Sequence, residues 1–422
     1  MGDEAQTGPD NMGLFHGFTA EGAGGAHEAP GASPAGASKM ALGFTGSGWE
    51  YWRIWVVNLV LIVLTLGVYY PWAKARKLRY VYNNTEVGGD ALDYHATGWR
   101  LFKGMVVASL LFGVLNVLGQ LSLVLLGLTT VAFWLVLPLL WRASLHFRLA
   151  QSSWRGLRFA FVGSSKGAFV AFYWPWLVAL VALGAVVAAG ALVAALVGWG
   201  VVAGHDEASV WAGLRWLGLA ALWAATVAAL TVSVLAWVYG VRRYQHNHYA
   251  FGNLGSELVL SWSAFMRQAW RPVAWGLVGL SLLVVVLIYG TFANPVADSP
   301  AKPWGVLGIA TTLYLGLPVL GAYWSAVFQN VFWSATRAPD LRFHSALSPW
   351  AFAGLVLKNL LLTLLTLGLY WPFATMATMR ARVLAMSLHS DVDWAHITAR
   401  AAGEDNSLGD MALDAGGFDF GL

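Results

Sequence analysis

Apolar positions in this chain fall in long unbroken runs rather than in the one-sided stripe of a water-soluble helix. Six runs read as full membrane spans: roughly 103–119, 121–141, 172–198, 211–239, 273–293 and 305–328. Each approaches the ~20 residues that cross a hydrocarbon core about 30 Å thick. Two further runs, 50–70 and 349–371, are apolar but interrupted at Gly67–Pro71 and Gly368–Pro372. Proline cannot continue a helical ladder and restricts the residue before it. The apolar stretch Ile54 to Leu66 would reach only about 20 Å as a helix. The pattern therefore predicts two broken or re-entrant helices beside six full spans, with eight full spans as the alternative.

Between the spans the period changes to short alternating strands joined by turn residues. The turns are Gly88-Gly89-Asp90, Arg155-Gly156, Asn253-Leu254-Gly255, Ala338-Pro339-Asp340 and His389-Ser390-Asp391. Second strands are expected at Ala91–His95, Leu157–Val162, Glu257–Ser261, Leu341–Ser345 and Val392–Ile397, with Leu42–Thr45 as an unpaired half of the same unit. A lone hairpin is marginal in water, so these hairpins are expected to meet as one small cytoplasmic β-domain. Each second strand runs into a Ser- or Thr-capped helix.

The broken runs are copies of one another. Asn58 to Arg79 aligns with Asn359 to Arg380 at a constant offset of 301, matching Asn58/Asn359, Thr65/Thr366, Gly67/Gly368, Tyr69/Tyr370 and Pro71/Pro372. A weaker copy lies at offset 67, where Pro71 meets Pro138. Internal repeats with interrupted helices point to transporter binding sites. These ten residues are accordingly the candidate pathway and helix-break positions. The alternative for the asparagines is a hydrogen bond across a helix interface.

Composition strengthens the membrane reading. The chain has 422 residues, 58% hydrophobic and 11% charged, whereas soluble domains carry about 25% charge. Residues 1–40 hold five acids against Lys39, and residues 402–422 hold five acids and no base. Both segments are rich in Gly, Ala and Asp and are expected to be disordered tails, flanking a membrane domain at 41–401. That domain keeps 24 bases against 11 acids. The bases gather in alternate connections, which the positive-inside rule places in the cytoplasm together with both termini. Trp72, Lys74, Arg76, Lys77 and Arg79 form a basic aromatic extension suited to anionic lipid headgroups. Nucleic acid is not an expected partner.

The cysteine count is zero, which removes disulfide, thiolate-metal and thiol-nucleophile chemistry. His246-x-His248 has no third ligand at a recognisable spacing, so no metal or other cofactor is expected. Nucleophile-elbow, Walker and dinucleotide fingerprints are missing, and the reading leans away from an enzyme. The segments FTGSGWEYW, NLVLIVLTLGVYYPWAKARKLRY, NNTEVGGDALDY and ATGWRLFKG around 44–103 resemble the YjgN family of bacterial inner-membrane proteins, and the likeness extends over roughly 41–400. The C-terminal copy departs from the pattern, with Phe373 for Trp72 and Thr375 for Lys74. The resemblance implies the bacterial inner membrane and supplies no catalytic residues. The expected function is a transporter or channel for a small molecule or lipid, with its pathway between the broken repeats. The alternative is a non-catalytic scaffold or regulator whose β-domain binds a cytoplasmic partner.

Overall fold

The computed structural model describes residues 38–202, 208–252, 254–270, 272–273, 276 and 312–390. Eleven strands form one sheet: β1 Ser38–Phe44, β2 Thr85–Val87, β3 Asp90–Tyr94, β4 Ser152–Trp154, β5 Leu157–Phe161, β6 Tyr249–Phe251, β7 Leu254–Gly255, β8 Glu257–Leu258, β9 Thr336–Ala338, β10 Leu341–Ser345 and β11 Met386–Ser390. Their spatial order is β7-β6-β5-β4-β3-β2-β1-β11-β10-β9-β8, and all ten pairings are antiparallel. This is the chain order written around a circle. The first strand pairs with the last, and the two edges, β7 and β8, are separated in sequence by Ser256 alone. The sheet is therefore nearly closed.

Helices leave this circle as hairpins. They are α1 Gly48–Leu64, α2 Tyr70–Asn83, α3 Gly98–Leu121, α4 Leu123–Ala150, α5 Ser165–Val202, α6 Ala208–His246, α7 (residues 262–270), α8 Leu317–Ser334, α9 Pro349–Leu365 and α10 Trp371–Leu384. A π-helical turn, Thr312–Gly316, precedes α8. The strand entering each hairpin pairs with the strand leaving it: β1 with β2 around α1–α2, β3 with β4 around α3–α4, β5 with β6 around α5–α6, β8 with β9 around the α7 to α8 segment, and β10 with β11 around α9–α10. Each helix pair thus starts and finishes on the sheet. Laterally, α2 packs against α3, α4 against α5, α8 against α9, and α10 against α1. Leu235 and Tyr239 of α6 join Phe265 and Ala269 of α7 and Val331 and Phe332 of α8 in one core cluster.

Three of the Ser/Thr start signals act as sequence chemistry requires, whereas Ser47 and Ser348 stand at the N-caps of α1 and α9 without a side-chain cap bond. Thr97, Ser164 and Ser261 accept hydrogen bonds from the backbone N–H three residues on, at 3.4, 3.1 and 3.2 Å, which satisfies an orphan donor of the first turn. Side chains from the second helices clamp the same entry points. The Tyr80 hydroxyl donates to the Ser47 carbonyl at 3.0 Å and Tyr244 to that of Ser164 at 2.7 Å. Asn330 Oδ1 accepts from the Leu347 N–H at 2.9 Å.

Among the described residues four helices are long and apolar enough to cross a membrane: Gly98–Leu121, Leu123–Ala150, Ser165–Leu192 and Ala224–His246. The expected run 273–293, apart from residues 273 and 276, and the first part of 305–328 lie outside the described residues, as do residues 1–37 and 402–422. Several strand expectations are corrected. Leu42–Thr45 belongs to the longer β1, which is paired on both sides, with β2 and β11. His389 and Ser390 sit inside β11 rather than in a turn, because Lys39 and Arg342 hold His389 in the ladder, and Ser38 and Leu341 hold Ser390. The strand expected at Glu257–Ser261 ends at Leu258, since Ser261 is taken by the cap of α7. Val392–Ile397 lies outside the described residues. The other second strands appear at Asp90–Tyr94, Leu157–Phe161 and Leu341–Ser345.

Candidate functional site: paired broken hairpins and a basic base

Both broken runs end in the same turn. Leu64 and Leu365 close α1 and α9, and the chain then passes through left-handed residues: Leu66 at φ 51° and Gly67 at 92°, Leu367 at 50° and Gly368 at 93°. Gly67 N–H donates to the Ile62 carbonyl at 2.8 Å and Leu66 N–H to Val63 at 3.2 Å; the second copy repeats both, with 2.7 and 3.1 Å. This is a Schellman closure with leucine where glycine usually stands. The Thr65 hydroxyl donates to the Leu61 carbonyl at 2.7 Å and accepts from Tyr69 N–H at 3.0 Å. Thr366 does the same with Leu362 and Tyr370. The threonine hydroxyls are thus engaged within the turns. Pro71 and Pro372 begin α2 and α10, where a missing N–H leaves no bond unmade, and both are fully buried.

Asn58 and Asn359 are buried in the middle of their hairpins, but their partners differ. Arg76 on α2 donates to Asn58 Oδ1 at 3.1 Å and to the Tyr69 hydroxyl at 3.0 Å, tying both arms of the first hairpin. The residue equivalent to Arg76 is Ala377. Asn359 Nδ2 reaches the Ala374 carbonyl at 3.4 Å, and its Oδ1, in a residue only 3% exposed, has no partner among the described residues. The two hairpins stand side by side through α1 and α10. Near the sheet that seam is filled by Phe44, Tyr51, Tyr80 and Met376.

The basic aromatic extension lies along α2. Trp72 packs against Tyr69, Trp99 and Phe102, and Gly98 lets α3 approach it, since a Cβ there would lie 2.8 Å from Trp72 Cα. Arg76 is held by Asn58 and Tyr69, Arg79 is exposed, and Lys74 and Lys77 are half-buried.

Sequence reading missed an electrostatic coupling at the base of the second helices. Arg148 of α4 and Arg382 of α10 occupy the place of Val81 at offsets 67 and 301. Arg382, in the last turn of α10, has its pKa lowered by burial and then by Arg242 of α6. Tyr249 in β6 has its pKa raised by burial, opposed by Arg242 and Arg148. Arg242 thus acts electrostatically on both Arg382 and Tyr249, and Arg148 acts on Tyr249, although these residues come from elements far apart in sequence. The hydrogen-bond partners of Arg148, Arg242 and Arg382 are neutral: Ser144 carbonyl, Gln245 and Ser325 respectively. Among the described residues the sole ion pair is Arg155–Asp90, at 2.6 Å. Uncompensated arginines of this kind suit a phosphate or carboxylate. The repeat offset was the available signal, but it sets Arg148 and Arg382 opposite Val81, which carries no charge in the first copy.

The histidines are engaged singly. His95 contacts Ser153 Oγ at 2.7 Å, His246 contacts Thr336 Oγ1 at 2.8 Å, and His248 the Tyr244 carbonyl at 2.7 Å. Among the described residues no three potential ligands gather to hold a metal.

Residues 39–415 match the family model DUF898, described as a bacterial protein of unknown function. The chain belongs to the DUF898 family. Relatives named inner membrane protein YjgN lie within reach of direct comparison. That of Escherichia coli O157:H7 is 34% identical over 139 residues, covering 32% of this chain and 35% of the relative. That of Salmonella typhimurium strain LT2 is 31% identical over 132 residues, 30% of this chain and 32% of the relative. The chain thus spans about a third of the length of the curated relatives it matches. No solved structure matches. Together with the apolar helices, these relatives support a place for this DUF898 protein in the bacterial inner membrane.

Proposed function

We propose that this DUF898 protein is a membrane conduit for an anionic amphiphile, a phospholipid by class, with its pathway beside the two broken hairpins. One observation carries the reading: among the described residues the main helix contacts are between neighbours around a circle, and between 6% and 17% of each apolar spanning window is buried. Helices so sparsely packed present apolar surface on more than one side, which acyl chains can cover. Arg148, Arg242 and Arg382 at the base would receive the anionic headgroup, with Lys74, Lys77 and Arg79 at the bilayer surface. In this reading the sheet lies in the cytoplasm, following the positive-inside distribution. The hairpins α1–α2 and α9–α10 enter the bilayer and return, as their paired ends on the sheet favour. The cluster of Tyr51, Tyr80 and Met376 closes the seam between them near the sheet.

The test uses purified protein in vesicles carrying a fluorescent anionic phospholipid. Transbilayer exchange at least tenfold above protein-free vesicles is expected. Asn58→Leu or Asn359→Leu should lower it without changing the folded yield. The pair Arg148→Gln and Arg382→Gln should slow the anionic lipid more than a zwitterionic one. Exchange no faster than in empty vesicles would overturn the proposal. A second reading, a scaffold that binds a cytoplasmic protein through the sheet, is favoured by the charged exposed face of that sheet. It predicts a stoichiometric protein on gentle purification, lost when the β-turns are altered.

A further inference from the structure

Register places a line of bases across four neighbouring strands. Arg337 of β9 pairs with Arg342 of β10, Arg342 with His389 of β11, and His389 with Lys39 of β1. Paired residues project from the same face, so these four side chains stand in a row about 14 Å long at the usual ~4.8 Å strand spacing. Lys39, Arg337 and Arg342 are exposed and His389 is half-buried. Glu257 faces the far end of the row, opposite Arg337, yet no ion pair forms there among the described residues. Like charges directly opposite one another destabilise a sheet. A row of four therefore calls for an anionic occupant.

The chain supplies one at the right place. Lys39 follows Ser38, and Ser38 pairs with Ser390, the last residue of β11. The strand that carries His389 thus ends one residue beyond the row. Residues 402–422 carry Glu404, Asp405, Asp410, Asp414 and Asp419 without a base. The eleven intervening residues can reach about 36 Å at ~3.3 Å each, more than twice the length of the row. The N-terminal segment is acidic too, but spreads five acids over 40 residues and is the weaker counter-charge. We infer that the acidic segment 402–422 docks on the Arg337–Arg342–His389–Lys39 row. It shields the row from other anionic partners and makes the sheet face self-masking.

The absence of cysteine makes the test direct. Ala41 lies two residues beyond Lys39 on the same face of β1 and is exposed. The double variant Ala41→Cys with Ala412→Cys, in the otherwise intact chain, should form an intramolecular disulfide under mild oxidation at low salt. The control couples Ala412→Cys with Ala91→Cys, an exposed position on β3 that pairs with Glu86. It should yield less than a tenth as much. Yield at position 41 should fall several-fold in 1 M salt, where the screening length is about 3 Å, and likewise when Arg337→Gln and Arg342→Gln are added. Equal yields at the two positions, a disulfide between two chains, or insensitivity to salt and charge removal would each overturn the inference. So would a thiol at position 41 that stays free in solution and is protected from maleimide only by vesicles of anionic phospholipid.

Discussion

At the residue scale the telling features are leucines in a glycine place and an asparagine without its arginine. Leu66 and Leu367 adopt left-handed φ at the tips of their hairpins and are each 94% exposed. A side chain there costs about 1–2 kcal/mol relative to glycine, and among the described residues nothing covers these two. Leu66→Gly with Leu367→Gly should therefore raise the thermal midpoint in detergent. The same variant should weaken retention in bilayers if the tips insert, which flotation after mild extraction would read. The asparagines make a matched pair of experiments. Arg76→Ala leaves Asn58 Oδ1 buried without a donor and should lose about 1–3 kcal/mol, read as a lowered denaturation midpoint. Ala377→Arg offers Asn359 the donor that its counterpart has, within reach of Tyr370, and should stabilise. A fall in stability would show that the second hairpin has no room for the guanidinium.

At the element scale each hairpin is a strand, a capped helix, a return helix and a strand, and lateral packing decides whether neighbouring units touch. A close approach joins α2 to α3, where Gly98 lies against Trp72. Gly98→Ala must displace the Trp72 backbone as well as its ring, an overpacking that typically costs about 1–3 kcal/mol. A lowered midpoint is expected, together with a changed tryptophan emission. Gly113, on the same helix and with open space around it, should accept alanine without loss. Equal effects at the two sites would place the helix contact elsewhere.

At the scale of the whole molecule, closure depends on β1. This strand holds β2 along one edge and β11 along the other, so it joins the beginning of the chain to its end. Ala41→Pro places a residue without an N–H in a strand paired on both sides and should cost about 1–3 kcal/mol where a ladder carbonyl loses its donor, seen as a fall in midpoint. Leu254→Pro, in the two-residue edge strand β7, should cost far less. The membrane nature, the five repeating units, the Ser/Thr starts and the paired breaks were all legible in the sequence, because run length, turn chemistry and capping act locally. Sequence repetition also located Asn58 and Asn359, but not that one has an arginine and the other an unmatched oxygen. What the tertiary structure alone decided was how the units assemble. Hydrogen bonding between β1 and β11 turns a linear series into a circle, and only that closure sets Lys39 beside His389. Such neighbours come from pairings between distant strands, whose register depends on every intervening turn and helix rather than on any local pattern.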